Sequence, residues 1–293
     1  MKTVTGLVLA IILALTCAPD AGAAAGRIAV VAAENFYGDI AAQIGGSQVA
    51  VVSILNNPTQ DPHLFETTPS VVRQIAGAQI VILNGANYDP WMEKLLSAAP
   101  RLGRSVITAA DLMHAKTGDN PHLWYHPSTM PAVAKAIAEA LAKADAVHAS
   151  DYAGRLATTL ASLERVAQRA AQIKAKYAGT AVTATEPVFG PMADALGLTM
   201  RNQRFQLAMM NDTEPSARDV ASFENDLKQH KVKVLLYNSQ VSEKLTLRLL
   251  DIAKLAKVPV VGVTETQPAN MSFQDWILGQ LDALDKALAG PSS

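Results

Sequence analysis

Apolar positions along this chain follow two rhythms that alternate. Short uninterrupted apolar runs at 27–33, 49–55, 80–83 and 105–108 predict β-strands buried on both faces. Between them, 35–44, a segment capped by Ser70 and running to 76, and 91–98 predict short helices, with Gly45, Gly46 and Gly77 as stops. From 129 to 144 the pattern becomes an alanine-rich helix. A second helix follows over 150–177, where Leu156, Leu160, Leu163, Val166, Ala170 and Ile173 recur at steps of three and four. At 1.5 Å per residue it spans about 40 Å, the width of a lobe or more, and reads as a rigid spine. The α/β alternation then resumes, with strands at 181–185, 232–237 and 258–263 and helices at 188–196, 216–229, 243–256 and 272–289. Ser216 with Asp219 three residues on resembles a capping box at one of these helix starts.

Such alternation implies parallel sheets covered by helices on both faces. The expected fold is α/β: two parallel-sheet lobes joined by the long helix. The chain divides into 1–23 as an export signal, 24–149 as the N-terminal lobe, 150–178 as the linking helix and 179–293 as the C-terminal lobe. The signal is read from Lys2, the apolar stretch 4–18, and the small residues Ala21, Gly22 and Ala23. That stretch is shorter than the about 20 residues a bilayer span needs. The single cysteine, Cys17, lies inside it, so the mature chain is expected to have neither a disulfide nor a thiolate metal site.

Charge narrows the function classes. The chain carries 25 basic and 26 acidic residues, a balance that gives no reason to expect nucleic acid as a partner. Aromatics at 5% also argue against stacking platforms for bases or sugars.

Chemistry concentrates in a few loops. His63 lies in D-P-H-L-F-E after the second strand, and His122 lies in N-P-H-L-W-Y-H-P before the alanine-rich helix. Each has a proline immediately before it, which stiffens the loop that aims the imidazole. In the second lobe Glu186 and Glu265 each follow a predicted parallel strand, where α/β sheets place their ligands. Two imidazoles facing two carboxylates across a cleft would suit a divalent transition metal. Taken singly, each residue has a plainer explanation. A loop histidine is ordinarily a surface group. Glu186 before Pro187 favours a helix dipole, and Glu265 suits a solvated turn. His126 is open between ligand, orienting partner and packing residue. No H-E-x-x-H, G-x-S-x-G or Gly-rich phosphate loop is present, so a metal-dependent hydrolase gains no motif and a non-enzymatic role is expected. The other alternative is a receptor for a metal chelate or small organic ligand, with Arg201 and Arg204 to face a carboxylate.

The D-P-H-x-x-E-x-x-P-S stretch over 61–70, N-P-H-L-W over 120–124 and T-E-P-S over 213–216 resemble the periplasmic metal receptors of ABC importers. These are the zinc and manganese solute-binding proteins known as cluster A-I or cluster 9. The resemblance covers essentially the whole mature chain. It implies a metal site in the interlobe cleft, with ligands at His63, His122, Glu186 and Glu265 and His126 as an additional or orienting group. It also implies a monomer in the periplasm that delivers Zn²⁺ or Mn²⁺ to a permease in the inner membrane. Zinc receptors of the family usually carry a third histidine where this chain has Glu186. Manganese and iron receptors usually have aspartate where it has Glu265. The His- and Asp-rich loop of many zinc importers is replaced by the short segment 115–119. Both metals therefore stay open at this stage.

Overall fold

The computed structural model describes residues 26–57, 65–241 and 243–290; the expected export signal with Cys17, and His63, lie outside them. In the first lobe β1 (Ile28–Glu34) and α1 (Asn35–Gly45) lead to β2 (Val49–Leu55), α2 (Pro69–Gly77), β3 (Ile80–Leu83) and α3 (Pro90–Ala98). Then come β4 (Ser105–Thr108), α4 (Ala109–Met113) and α5 (Thr129–Ala144). The sheet is parallel throughout, in the order β2-β1-β3-β4. Its apolar runs are continuous because alternate residues feed opposite faces. Val30 and Ala32 of β1 and Ile80 and Ile82 of β3 enter one core, while Val31, Ala33, Val81 and Leu83 enter the other.

After the 29-residue α6 (Ala149–Tyr177) the second lobe repeats the plan. It comprises β5 (Ala181–Ala184), α7 (Gly190–Ala195), β6 (Thr199–Arg201), α8 (Gln203–Met210), α9 (Ala217–Lys228), β7 (Leu235–Asn238), α10 (Lys244–Leu255), β8 (Val260–Val263) and α11 (Phe273–Ala289). Its parallel sheet runs β6-β5-β7-β8. Strand order thus reverses at β1/β3 in one lobe and at β5/β7 in the other. At such points the connections leave in opposite directions and open a crevice at the carboxyl ends of the strands.

Helix α6 buries Leu163, Val166, Ala170 and Ile173 and is tied to both lobes. Arg155 donates to the Gly45 carbonyl and to Gln48 Oε1 at 3.1 and 3.0 Å. Arg169 pairs with Asp282 and Asp285 of α11 at 2.7 and 2.8 Å. Between the lobes the few aromatic residues gather: Phe36 stacks on Trp124, and Tyr125 meets both Phe189 and Trp276 edge-on. The Tyr125 hydroxyl lies 2.7 Å from the Thr264 carbonyl and from Gln280 Oε1, and Asn35 donates to the Gln267 carbonyl at 2.7 Å. One apolar cluster therefore runs through both lobes.

Some local expectations shift. The cap of α2 is Thr68, which accepts the Val71 N–H, because Pro69 takes the first helical position, where its missing N–H costs nothing. The helix expected at 188–196 is a 3₁₀ turn (Pro187–Phe189) followed by the short α7, each with a proline at its start. Helices α4 and α8 and strand β6 were not anticipated. At five, eight and three residues they are too short for periodicity to reveal. The capping box at Ser216 forms, with its Oγ accepting the Asp219 N–H at 3.2 Å.

Candidate metal centre

Each sheet delivers its chemistry from its carboxyl end. β5 runs out through Thr185 to Glu186, and Pro187 turns the chain away. Glu265 stands two residues beyond β8. From the first lobe, the loop after α4 brings His122 to the same place. All three are buried, at 0% exposure for His122, 5% for Glu186 and 1% for Glu265.

The orientation of His122 follows from its neighbours. Asn120 Nδ2 donates to the Pro187 carbonyl across the lobe boundary at 2.7 Å, which identifies its other amide atom as oxygen. That oxygen accepts the His122 backbone N–H at 3.1 Å and lies 2.8 Å from Nδ1. Nδ1 therefore carries the hydrogen. The loop itself is anchored by Asn84, whose amide donates to the Pro121 carbonyl at 2.8 Å. Nε2 is then turned to Glu265 Oε2 at 3.3 Å. Two lone-pair atoms facing each other in a buried site repel, and only a cation between them, a proton or a metal ion, reverses that.

Donors hold the carboxylates in place. Tyr88 Oη donates to Glu265 Oε2 at 3.0 Å, and burial beside Glu265 raises the Tyr88 pKa well above the usual range, keeping the proton on the phenol. Asn238 Nδ2 donates to Glu186 Oε2 at 2.9 Å and to Glu265 Oε1 at 2.6 Å. Among the described residues no three His, Cys, Asp or Glu side chains stand close enough together to hold an ion. Glu186 joins the His122–Glu265 pair through the Asn238 amide rather than directly.

The sequence-derived candidates thus divide. His122 and Glu265 meet directly, Glu186 is linked to Glu265 through Asn238, and His63 lies outside the described residues. His126 is half-buried, and its Nδ1 lies 2.8 Å from Ser128 Oγ, at the start of α5. Arg201 is engaged by Asp226 at 2.7 and 3.0 Å and Arg204 by Asp219 at 3.4 Å, so neither is held for a ligand carboxylate in the cleft. Asn120, Asn238 and Tyr88 were not singled out from sequence. Asn120 stands inside the N-P-H motif, while Asn238 and Tyr88 carry no local signal.

A second carboxyl pair sits in the first lobe, where β1 ends. Asp89 accepts the N–H groups of Asn84 and Gly85 at 2.7 and 2.8 Å, whereas neither oxygen of the buried Glu34 receives an N–H or O–H donor from a neutral or basic group. The Asp89 carboxyl faces it instead, and two like charges so close in a buried place favour holding a proton. Burial, with Asp89 facing it, raises the Glu34 pKa well above the usual carboxyl range. Burial likewise pushes Asp89 up to about 6 against its backbone donors.

Residues 30–287 match the family profile of ZnuA, the zinc-uptake complex component A, periplasmic. The fold is similar to that of the periplasmic zinc-binding protein TroA from Treponema pallidum, with a TM-score of 0.76 at 19% identity over 90% of this chain and 99% of that one. The chain is 30% identical over 108 residues to the iron-binding protein YfeA of Yersinia pestis, covering 35% of this chain and 34% of that protein. It is 27% identical over 139 residues to the manganese ABC transporter substrate-binding lipoprotein PsaA of Streptococcus mitis, covering 42% of this chain and 45% of that protein. The aligned stretches span less than half of these relatives. The three names carry three different metals, so likeness alone does not choose one.

Proposed function

The chain belongs to the ZnuA family of periplasmic metal-uptake components, and from that premise we propose that it captures one divalent transition-metal ion and delivers it to an ABC permease in the inner membrane. In this reading 1–23 is removed on export, 24–149 and 179–293 form the two lobes about the linking helix 150–178, and the mature protein works in the periplasm as a monomer. It is a carrier, not an enzyme. The ligands are His63, His122, Glu186 and Glu265, with His126 as an additional or orienting group.

One observation carries this reading: the buried, oriented contact of His122 Nε2 with Glu265 Oε2 at 3.3 Å, two acceptors that need a cation between them. The donors around them, Asn120, Tyr88 and Asn238, are neutral, so none replaces the cation. A divalent ion bound by two neutral imidazoles and two carboxylates leaves no net charge in the buried centre, which keeps the cost of burial low. Binding releases the protons that compete for the imidazoles, so affinity falls on acidification.

The test is titration of the metal-free exported protein with zinc and manganese, with His63→Ala and His122→Ala alongside. One equivalent should bind, and each variant should lose more than about 100-fold in affinity, beyond the 10–100-fold typical of groups that merely support a ligand. Unchanged affinity in His63→Ala would remove it from the ligand set. A protein that binds neither ion, and gains no thermal stability from either, would end the metal reading.

A further inference from the structure

We infer that Asn35 is a positioning residue for metal capture: from the first lobe it holds the second-lobe loop that carries Glu265, and so fixes where Glu265 stands against His122. The inference rests on the proposal that Glu265 is a ligand, and it adds a residue that is not itself one.

Asn35 opens α1, directly after β1 ends, and is half-buried. Its side-chain amide meets the backbone of Gln267, across the lobe boundary and two residues beyond Glu265. Nδ2 donates to the Gln267 carbonyl at 2.7 Å, and Oδ1 accepts the Gln267 N–H at 3.1 Å. A peptide N–H can only donate and a carbonyl can only accept, so this pair of bonds admits one orientation of the amide. The side chain grips Gln267 as the opposite residue of an antiparallel strand pair would, by both backbone groups. On the other side of Glu265, the Thr264 carbonyl lies 2.7 Å from the hydroxyl of Tyr125, also a first-lobe residue. Glu265 therefore stands between two backbone attachments to the lobe that supplies His122. The second lobe holds the same segment by other atoms. Gln240 Oε1 accepts the Thr266 N–H at 3.0 Å, and Trp276 Nε1 donates to Thr264 Oγ1 at 3.0 Å. What Asn35 adds is the register of the segment against the first lobe.

The grip is specific to its place on the boundary. Asn35, Asp39 and Gln43 share one face of α1 at steps of four. Asp39 accepts the Phe273 N–H at 2.8 Å where α11 begins, and Gln43 exchanges bonds with the Gln274 side chain at 3.1 and 2.9 Å. Those two secure α11. Asn35 is the one of the three that holds the backbone beside Glu265. The contact it protects is the 3.3 Å approach of Glu265 Oε2 to His122 Nε2, which joins groups from different lobes. A pair made across a boundary is only as well placed as the ties across it. Loosening such a tie weakens binding, chiefly through faster release.

The experiment uses the metal-free exported protein and Zn²⁺, with affinity read by competition against a chromophoric chelator and release followed by stopped flow. Asn35→Ala should still bind one equivalent, with affinity about 10-fold weaker, the low end of what groups that orient a ligand command. The loss should appear as faster release. Gln43→Ala cuts a bond across the same boundary from the same helix and should keep the wild-type affinity and release rate. In a Glu265→Gln background, adding Asn35→Ala should cost nothing further, because its effect passes through Glu265. Equal losses in Asn35→Ala and Gln43→Ala would overturn the inference, since general loosening of the lobes would then explain both. So would an Asn35→Ala protein with wild-type affinity and release, or a full Asn35→Ala loss on top of Glu265→Gln. In each of these cases Glu265→Gln alone still weakens binding, and the ligand reading survives. If Glu265→Gln alone binds as the wild type does, or if no ion binds at all, the ligand set has failed and the inference falls with it.

Discussion

Two pairs of buried carboxyl groups lie at the carboxyl ends of the two sheets, and their charge is handled in opposite ways. Glu186 and Glu265 are met by donors at fixed positions, the amide of Asn238 and the hydroxyl of Tyr88, with the His122 imidazole alongside. Glu34 faces Asp89, which accepts two backbone N–H groups, while among the described residues neither Glu34 oxygen has a hydrogen-bond donor. A buried carboxylate must be hydrogen-bonded, paired or protonated. In the proposed function a metal ion completes the first pair. The second is completed by a proton, and its pKa values rise accordingly. Burial of acidic side chains is therefore no guide to a metal site by itself; the donors around them decide.

The largest effect that could break this comparison comes from removing one charge from each pair. Glu265→Gln keeps the size of the side chain but adds an NH₂ where the metal needs a lone pair. Its metal affinity should fall by more than about 100-fold, beyond the loss expected of a supporting group. Glu34→Gln, equally buried and equally conservative, should leave affinity essentially unchanged. Calorimetric titration of both variants measures this. Equal losses would mean that the two pairs form one coupled site and that the contrast is false.

The legible and illegible parts of the sequence divide along the same line. Residues announced by their immediate neighbours were legible as to place: His122 by Asn120 and Pro121, Glu186 by the strand before it and Pro187 after it, and Glu265 by the strand that ends at Val263, all three buried. The two-lobed α/β plan was legible because the strands are continuous apolar runs and α6 keeps its period for 29 residues. Asn238 and Tyr88 were not, because their roles depend on pairings made by the sheet. Asn238 faces two carboxylates that are 52 and 27 residues away, and Tyr88 reaches one that is 177 away. Glu34 did carry a signal that went unused, an acidic residue directly closing an otherwise apolar strand. Short elements such as β6 and α4 escaped because three and five residues hold fewer than two periods of their own pattern.

A smaller effect sharpens the account of the metal pair. Asn120 reaches across the lobe boundary to the Pro187 carbonyl and keeps the hydrogen of His122 on Nδ1. Asn120→Ala should leave every proposed ligand present yet lower metal affinity by about 10–100-fold, the usual cost of losing a ligand's hydrogen-bond partner. Asn120→Asp retains the acceptor for Nδ1–H and should recover part of that loss, although it forfeits the bond to Pro187. An affinity in Asn120→Ala equal to wild type would show that packing against Tyr88 and Trp124 alone holds the ring.

The smallest effect concerns the protonated pair and is read in the metal-free protein. A carboxyl group whose pKa is higher folded than unfolded binds its proton more tightly in the folded state. Its stabilising contribution is complete below the unfolded value and is lost as pH rises through the folded one. For Asp89 the ordinary value is 3.8 and the folded value is about 6; for Glu34 burial, with Asp89 facing it, likewise raises the value well above 4.5. The metal-free protein should therefore lose stability as pH climbs from about 4 through 6 and onward, against the usual trend of proteins whose carboxylates are paired in the fold. Glu34→Gln supplies a permanent N–H donor to Asp89, so Asp89 no longer needs the shared proton. In thermal melts the variant should match wild type near pH 4 and exceed it at pH 8, by about 1–3 kcal/mol, the cost of a buried polar group left unsatisfied. Parallel pH profiles for the two proteins would mean that Glu34 and Asp89 find another counter-charge in solution, and the contrast between a pair completed by a metal and a pair completed by a proton would fall.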